Sequence, residues 1–188
     1  MKVLNKLVLA TVLACGSLPL SFANQLTGDP KLACEAIMCL STGSRPSECN
    51  PSISRFFSIQ HNKWSDTLRD RIDFLNQCPT VSQNGDMQKL ASDAANGAGR
   101  CDAATLNSTN ISMFDADAGT YSVNATMPGY CTAYVQNKYT DLSKTTPVYV
   151  GLPERKGYWV EPAQYNQALI EYNARIAAED TAKNNNGN

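Results

Sequence analysis

The stretch Asp29-Pro30-Lys31-Leu32-Ala33-Cys34-Glu35-Ala36-Ile37-Met38-Cys39-Leu40 decides how the chain is read. Asp29 before Pro30 is a helix start: a carboxylate can accept free amides of the first turn, and proline at N1 gives up an amide that has no partner inside the helix. Ala33, Ile37 and Leu40 form one apolar face, and Gly43 supplies the stop. The same helix carries Cys34 and Cys39, so its neighbours are set by where those sulfurs go.

Working outward, Asn50-Pro51 repeats the start signal and opens a short helix with Ile53, Phe56 and Phe57. From Asn62, the residues Trp64, Leu68, Ile72, Leu75 and Cys78 fall at spacings of four, four, three and three, which keeps them on one helical stripe, and Pro79 closes it. Asp66, Arg69, Asp70 and Asp73 take the opposite, solvent-facing side. Past Asn76 the pattern weakens: Gly85, Gly97 and Gly99 interrupt Met87, Leu90 and Ala94, which predicts a loop, one short helix and a loop carrying Cys101. Ala104 to Gly129 is rich in Asn, Ser, Thr and Asp and reads as short strands or irregular surface. Strand-like pieces follow at 131–135 and 147–150. After Glu161-Pro162, Tyr165, Leu169, Tyr172 and Ile176 mark a terminal helix ending near Asp180.

The predicted fold is mainly α, a disulfide-stapled helical domain with a more irregular, partly extended C-terminal half and a terminal helix. Its parts are a helical cysteine motif over 24–79, a mixed segment over 80–160, a helix over 161–180 and a disordered tail over 181–188. Residues 1–23 read as a signal peptide: Lys2 and Lys6 precede an apolar run, and Ser21-Phe22-Ala23 offers a cleavage site after Ala23. Lipidation at Cys15 fits less well, because Leu13-Ala14 before it is a poor match to that signal. The expected location is the periplasm, with no transmembrane segment in the mature chain.

The chain of 188 residues has 16 Lys and Arg against 17 Asp and Glu, and cleavage would remove two lysines and no acid. That balance argues against nucleic acid as a partner. Of seven cysteines, Cys15 leaves with the signal, and Cys34, Cys39, Cys49, Cys78, Cys101 and Cys131 remain. An even set in an exported chain reads as disulfides, with about 15 pairings open to six cysteines. Helix geometry favours Cys34 with Cys78 and Cys39 with Cys49, leaving Cys101 for Cys131.

A cysteine-bound zinc is disfavoured, because no CxxC occurs and His61 is the sole imidazole. Asp115, Asp117 and Gly119 resemble part of a calcium loop, but position 126 is Thr where such a loop needs an acid. Asn107, Asn110 and Asn124 head sequons that matter only in a glycosylating host. With no triad, phosphate loop or cofactor fingerprint, neither a cofactor nor an enzyme activity is expected. The rival is a peptidoglycan-cleaving enzyme built on Glu35, with Glu48 as a second carboxylate.

Leu26 to Ser41, continued by Arg45-Pro46-Ser47-Glu48-Cys49 and Ser54-Arg55-Phe56-Phe57-Ser58-Ile59, closely resembles the TrbM/KikA family of conjugal transfer proteins. Arg71 to Pro79, with Phe74-Leu75-Asn76-Gln77-Cys78-Pro79, is similar to the end of the same signature. The resemblance implies an exported accessory of mating-pair formation or type IV secretion, encoded by a conjugative plasmid. Its partners would be other conjugation proteins of the cell envelope, and it transfers no catalytic residue. The KikA branch adds host-directed toxicity as an alternative. Arg55, Phe56, Phe57 and His61 are the first candidates for an interface, and Tyr158 with Trp159 the second. The competing reading is that both aromatic groups complete the core.

Overall fold

The computed structural model describes residues 26–115 and 120–186. The signal peptide and the Cys15 alternative fall outside the described residues, as do Asp117 and Gly119. Among the described residues are eight α-helices and two separate antiparallel two-stranded ribbons, so the mainly α expectation holds.

Helix α1 (Gly28–Leu40) starts behind Thr27, not behind an Asp29 cap. The Asp29 carboxylate is engaged elsewhere: Arg55 Nε and Nη2 donate to its two oxygens at 3.2 and 2.7 Å. The helix stops at Leu40, before Gly43, where the Ser41 hydroxyl donates back to the Ile37 carbonyl at 2.7 Å. Helix α2 (Asn50–Phe57) begins at the Asn-Pro signal. Helix α3 (Trp64–Leu75) buries Thr67, Arg71, Phe74 and Leu75. That face is turned about one position from the expected stripe, because Leu68 and Ile72 are only partly buried and Trp64 is 37% exposed. Two polar residues lie inward there: Thr67 Oγ1 accepts the His61 amide at 2.8 Å, and Arg71 donates Nε to the Ile59 carbonyl at 3.2 Å with aromatic rings stacked on its guanidinium.

The largest departure lies in 76–102. A one-turn helix α4 (Pro79–Ser82) leads into α5 (Gly85–Gly97), which is a central helix of the core. Asn84 caps α5 by accepting the Asp86 and Met87 amides at 2.9 and 3.3 Å. Leu90, Ala91, Ala94 and Ala95 are buried on it. Small side chains carry little hydrophobic signal yet let helices approach closely, which is why the sequence pattern looked weak. At Gly97 an added Cβ would stand 2.5 Å from the Tyr134 Cβ, so only glycine fits this crossing. Its partner, α7 (Gly129–Val135), corrects the strand expected at 131–135: Cys131 and Tyr134, one turn apart, both face inward.

Helix α6 (Ala103–Thr109) is capped by Asp102, which accepts the Thr105 amide at 2.9 Å. Strands β1 (Ile111–Asp115) and β2 (Thr120–Val123) pair with Ile111 opposite Val123, and β3 (Val148–Val150) pairs with β4 (Tyr158–Val160) with Tyr149 opposite Trp159. Helix α8 (Tyr165–Asn186) lays Ala168 and Tyr172 on the β3–β4 ribbon. It continues past Asp180 through 181–186, where the sequence predicted a disordered tail.

The sulfurs pair as the helix geometry favoured: Cys34–Cys78 and Cys39–Cys49 join α1 to the ends of α3 and of the turn before α2, and Cys101–Cys131 joins the start of α6 to α7. The first two staple the main core of α1, α2, α3 and α5, and the third lies in a smaller cluster with Leu106 and Trp159.

Candidate interaction surface

The end of α2, the loop after it and one face of α3 enclose a groove of about 340 Å³. Arg55 and His61 line it with Gln60, Asp70, Asp73 and Phe74. Here the structure brings together two of the residues expected at an interface. Arg55 is pinned by Asp29 and lies over the Phe74 ring at 5.1 Å. The hydrogen bond from Arg55 holds the Asp29 carboxyl below its ordinary value. His61 Nε2 is 2.8 Å from Asp70 Oδ2, and Arg69 Nε donates to the other Asp70 oxygen at 3.0 Å. Partial burial pushes the Asp70 carboxyl up, but the His61 and Arg69 hydrogen bonds outweigh it and hold it below its usual range. The groove is thus lined by hydrogen-bonding side chains on two helices and the loop between them, held together by Cys34–Cys78 and Cys39–Cys49 through α1.

Phe56 and Phe57 do not join that surface equally. Phe56 is fully buried and meets Phe57 edge-on at 5.1 Å, while Phe57 is partly buried with its ring against Gly99. Phe56 is therefore a core residue, not an interface residue. Of the second pair, Trp159 follows the core reading and Tyr158 is half-buried. Trp159 is 5% exposed, its indole N–H donates to the Asn124 carbonyl at 2.9 Å, and its ring meets Tyr149 edge-on. Tyr158 is partly buried against the cluster of Val150, Val160, Ala168 and Tyr172.

An asparagine that the sequence marked only as a sequon, Asn107, holds this region with the Asn124 carbonyl. Asn107 Oδ1 accepts the Trp159 amide at 2.7 Å, and its Nδ2 donates to the Trp159 carbonyl at 2.8 Å. Asn107 thereby stands in for a neighbouring strand on the open side of β4. Nothing at sequence level separates such an asparagine from a surface one.

A second arrangement missed at sequence level is a stack of cations and rings. The Arg71 guanidinium lies over Phe56 at 4.7 Å, Phe57 at 5.3 Å and Trp64 at 5.5 Å. Arg100 lies over Trp64 at 4.1 Å and Tyr130 at 4.0 Å. Burial, and after it the charge of Arg100, pulls the Arg71 guanidinium below its ordinary value, though an arginine stays protonated throughout the physiological range.

A further cleft of about 310 Å³ lies between the end of α5, α7 and residues 142–147. Its Tyr134 hydroxyl donates to the Leu40 carbonyl, and burial pushes the phenol up to about 12. Glu35 pairs with Lys31 at 3.6 Å on α1, and Glu48 accepts the neighbouring Ser47 hydroxyl at 3.3 Å. Neither carboxylate lines the groove or the cleft. Among the described residues no helix is long and apolar enough to cross a membrane.

Three disulfides on a helical frame define a stapled protein of the kind that persists outside the reducing cytoplasm. The chain belongs to the TrbM family, which it matches over residues 25–173, and it is accordingly a protein related to conjugal transfer. No curated protein and no solved structure matches it.

Proposed function

We propose that this chain is a periplasmic, non-catalytic accessory of the mating-pair formation or type IV secretion apparatus, docking envelope partners at the α2–α3 groove. The observation that carries the reading is the joint presence of TrbM membership and three disulfides, because disulfides form and last in an oxidising compartment. The groove supports it in a second way. Its walls are fixed by staples and ion pairs, so a partner meets a preorganised surface and little ordering entropy opposes binding. Phe56 contributes by packing in the core beneath that surface.

The test is transfer frequency in mating donors carrying His61→Asp or Asp73→Arg, both exposed groove positions. Transfer should fall at least about tenfold with the protein present at its normal level. Glu35→Gln, run alongside, should transfer like the parent. If the groove variants transfer normally and Glu35→Gln abolishes transfer, the peptidoglycan-cleaving reading replaces this one.

A further inference from the structure

Among the described residues, seven lysines and arginines form ion pairs. Arg55 is held by Asp29, Arg69 by Asp66 and Asp70, Arg155 by Glu179 and Asp180, and Arg175 by Glu179. Lys31, Lys89 and Lys138 each have an acid as well. Arg71 and Arg100 are instead stacked on aromatic rings. Among the described residues neither forms an ion pair, although Arg71 is only 5% exposed and the two cations share the Trp64 ring.

Stacking does not complete these groups. A cation over a ring is attracted through its face, by about 0.5 to 2 kcal/mol per contact, and its in-plane N–H donors stay free. Arg71 gives Nε to the Ile59 carbonyl at 3.2 Å, which leaves both terminal nitrogens without a partner. Arg100 gives Nη1 to the Asn96 carbonyl and Oδ1 at 3.1 and 2.7 Å, which leaves Nε and Nη2. Two like charges close together with unfilled donors are an arrangement that an anion relieves and a neutral ligand does not.

We propose that the free guanidinium edges of Arg71 and Arg100, which share the Trp64 ring, bind a carboxylate carried by an acidic peptide segment of a partner protein. The planar fork of arginine matches a planar carboxylate with two parallel hydrogen bonds. The walls explain why the carboxylate comes on a peptide. Trp64 is 37% exposed and Tyr130 is partly buried, so the slot offers ring surface for the apolar atoms next to an acidic side chain. A bare inorganic anion would satisfy the charges and leave that surface wet. The slot is distinct from the α2–α3 groove, so it can be tested without reference to the groove's role.

The chain has two tryptophans, Trp64 at the slot and Trp159 in the core, so fluorescence reports on the site directly. The oxidised protein is titrated with acetyl-Glu-Phe-Asp-Glu-amide, with the same peptide carrying Gln and Asn for the acids, and with inorganic phosphate. The acidic peptide should give a saturable change that weakens with added salt. Trp64→Phe should remove the signal. Arg100→Gln should weaken binding at least about tenfold, and Arg100→Lys, which keeps the charge without the fork, should fall between the two. Circular dichroism of each variant establishes that it is folded. No saturable change with the acidic peptide overturns the proposal. So does equal binding of the neutral peptide, undiminished binding by folded Arg100→Gln, or saturation by phosphate that the peptide does not compete away.

Discussion

Removing the disulfides one at a time should destabilise the protein in the order of the loops they close. Cys34–Cys78 spans 44 positions, Cys101–Cys131 spans 30 and Cys39–Cys49 spans 10. Treating each bridge as a limit on the unfolded chain, loops of these lengths correspond to about 4.0, 3.6 and 2.7 kcal/mol at room temperature. The extremes differ by about 1.3 kcal/mol, close to a tenfold change in the unfolding equilibrium. The perturbation is a pairwise Cys→Ala replacement, which leaves no odd thiol to form a wrong bridge. Urea unfolding gives both the midpoint and the slope, and the slope should rise as each variant's unfolded chain becomes freer to expand. A larger loss from Cys39/Cys49 than from Cys34/Cys78, with unchanged native circular dichroism, would refute the loop-closure reasoning.

Three further outcomes follow from named contacts. Asn107→Ala strands the Trp159 amide and carbonyl together, so urea unfolding should show a loss of about 2 to 4 kcal/mol and the emission of Trp159 should shift to the red. Gly97→Ala drives a methyl group into Tyr134 where α5 crosses α7, and thermal unfolding should register a cost of about 1 to 3 kcal/mol with all three disulfides intact. The Asp29 carboxyl sits below its ordinary 3.8 because Arg55 donates to it, so its contribution to stability is present above that pH and is lost as pH falls through the lowered value. The gap in unfolding midpoint between the parent and Asp29→Asn should therefore be flat near neutrality and close below pH 3.8, and a gap that persists or widens in acid contradicts the assignment.

How far the sequence reached depended on whether a local signal coincided with a tertiary one. The start of α2 was legible because proline at N1 has a local reason to be there. The disulfides were legible because two sulfurs on one helix restrict where their partners lie. Helix α5 was legible as a short helix at Met87, Leu90 and Ala94 but not as a central one, because its buried face is mostly alanine, whose value is close approach and not hydrophobic area. Helix α7 was misread because the Tyr, Thr and Val around Cys131 favour strands, while the bridge to Cys101 and the contact with Gly97 favour a helix. Arg55 and His61 meet in one groove because both lie at one helix end and the loop after it. For Phe56 and Trp159 the sequence left core and interface open, because an aromatic side chain looks the same in both, and burial places both rings in cores. The meeting of Arg71, Trp64, Arg100 and Tyr130 joins three distant stretches of chain, and no short-range pattern announces it.

The most direct measurement is photo-cross-linking in mating donor cells, with a benzophenone amino acid at Gln60 in the groove and, separately, at Asn173 on the exposed side of α8. The account predicts that the Gln60 probe captures an envelope component of the transfer apparatus, only in cells that carry that apparatus, and that the Asn173 probe does not. Capture from Asn173 with none from Gln60, or the same adduct in cells lacking the apparatus, would contradict it.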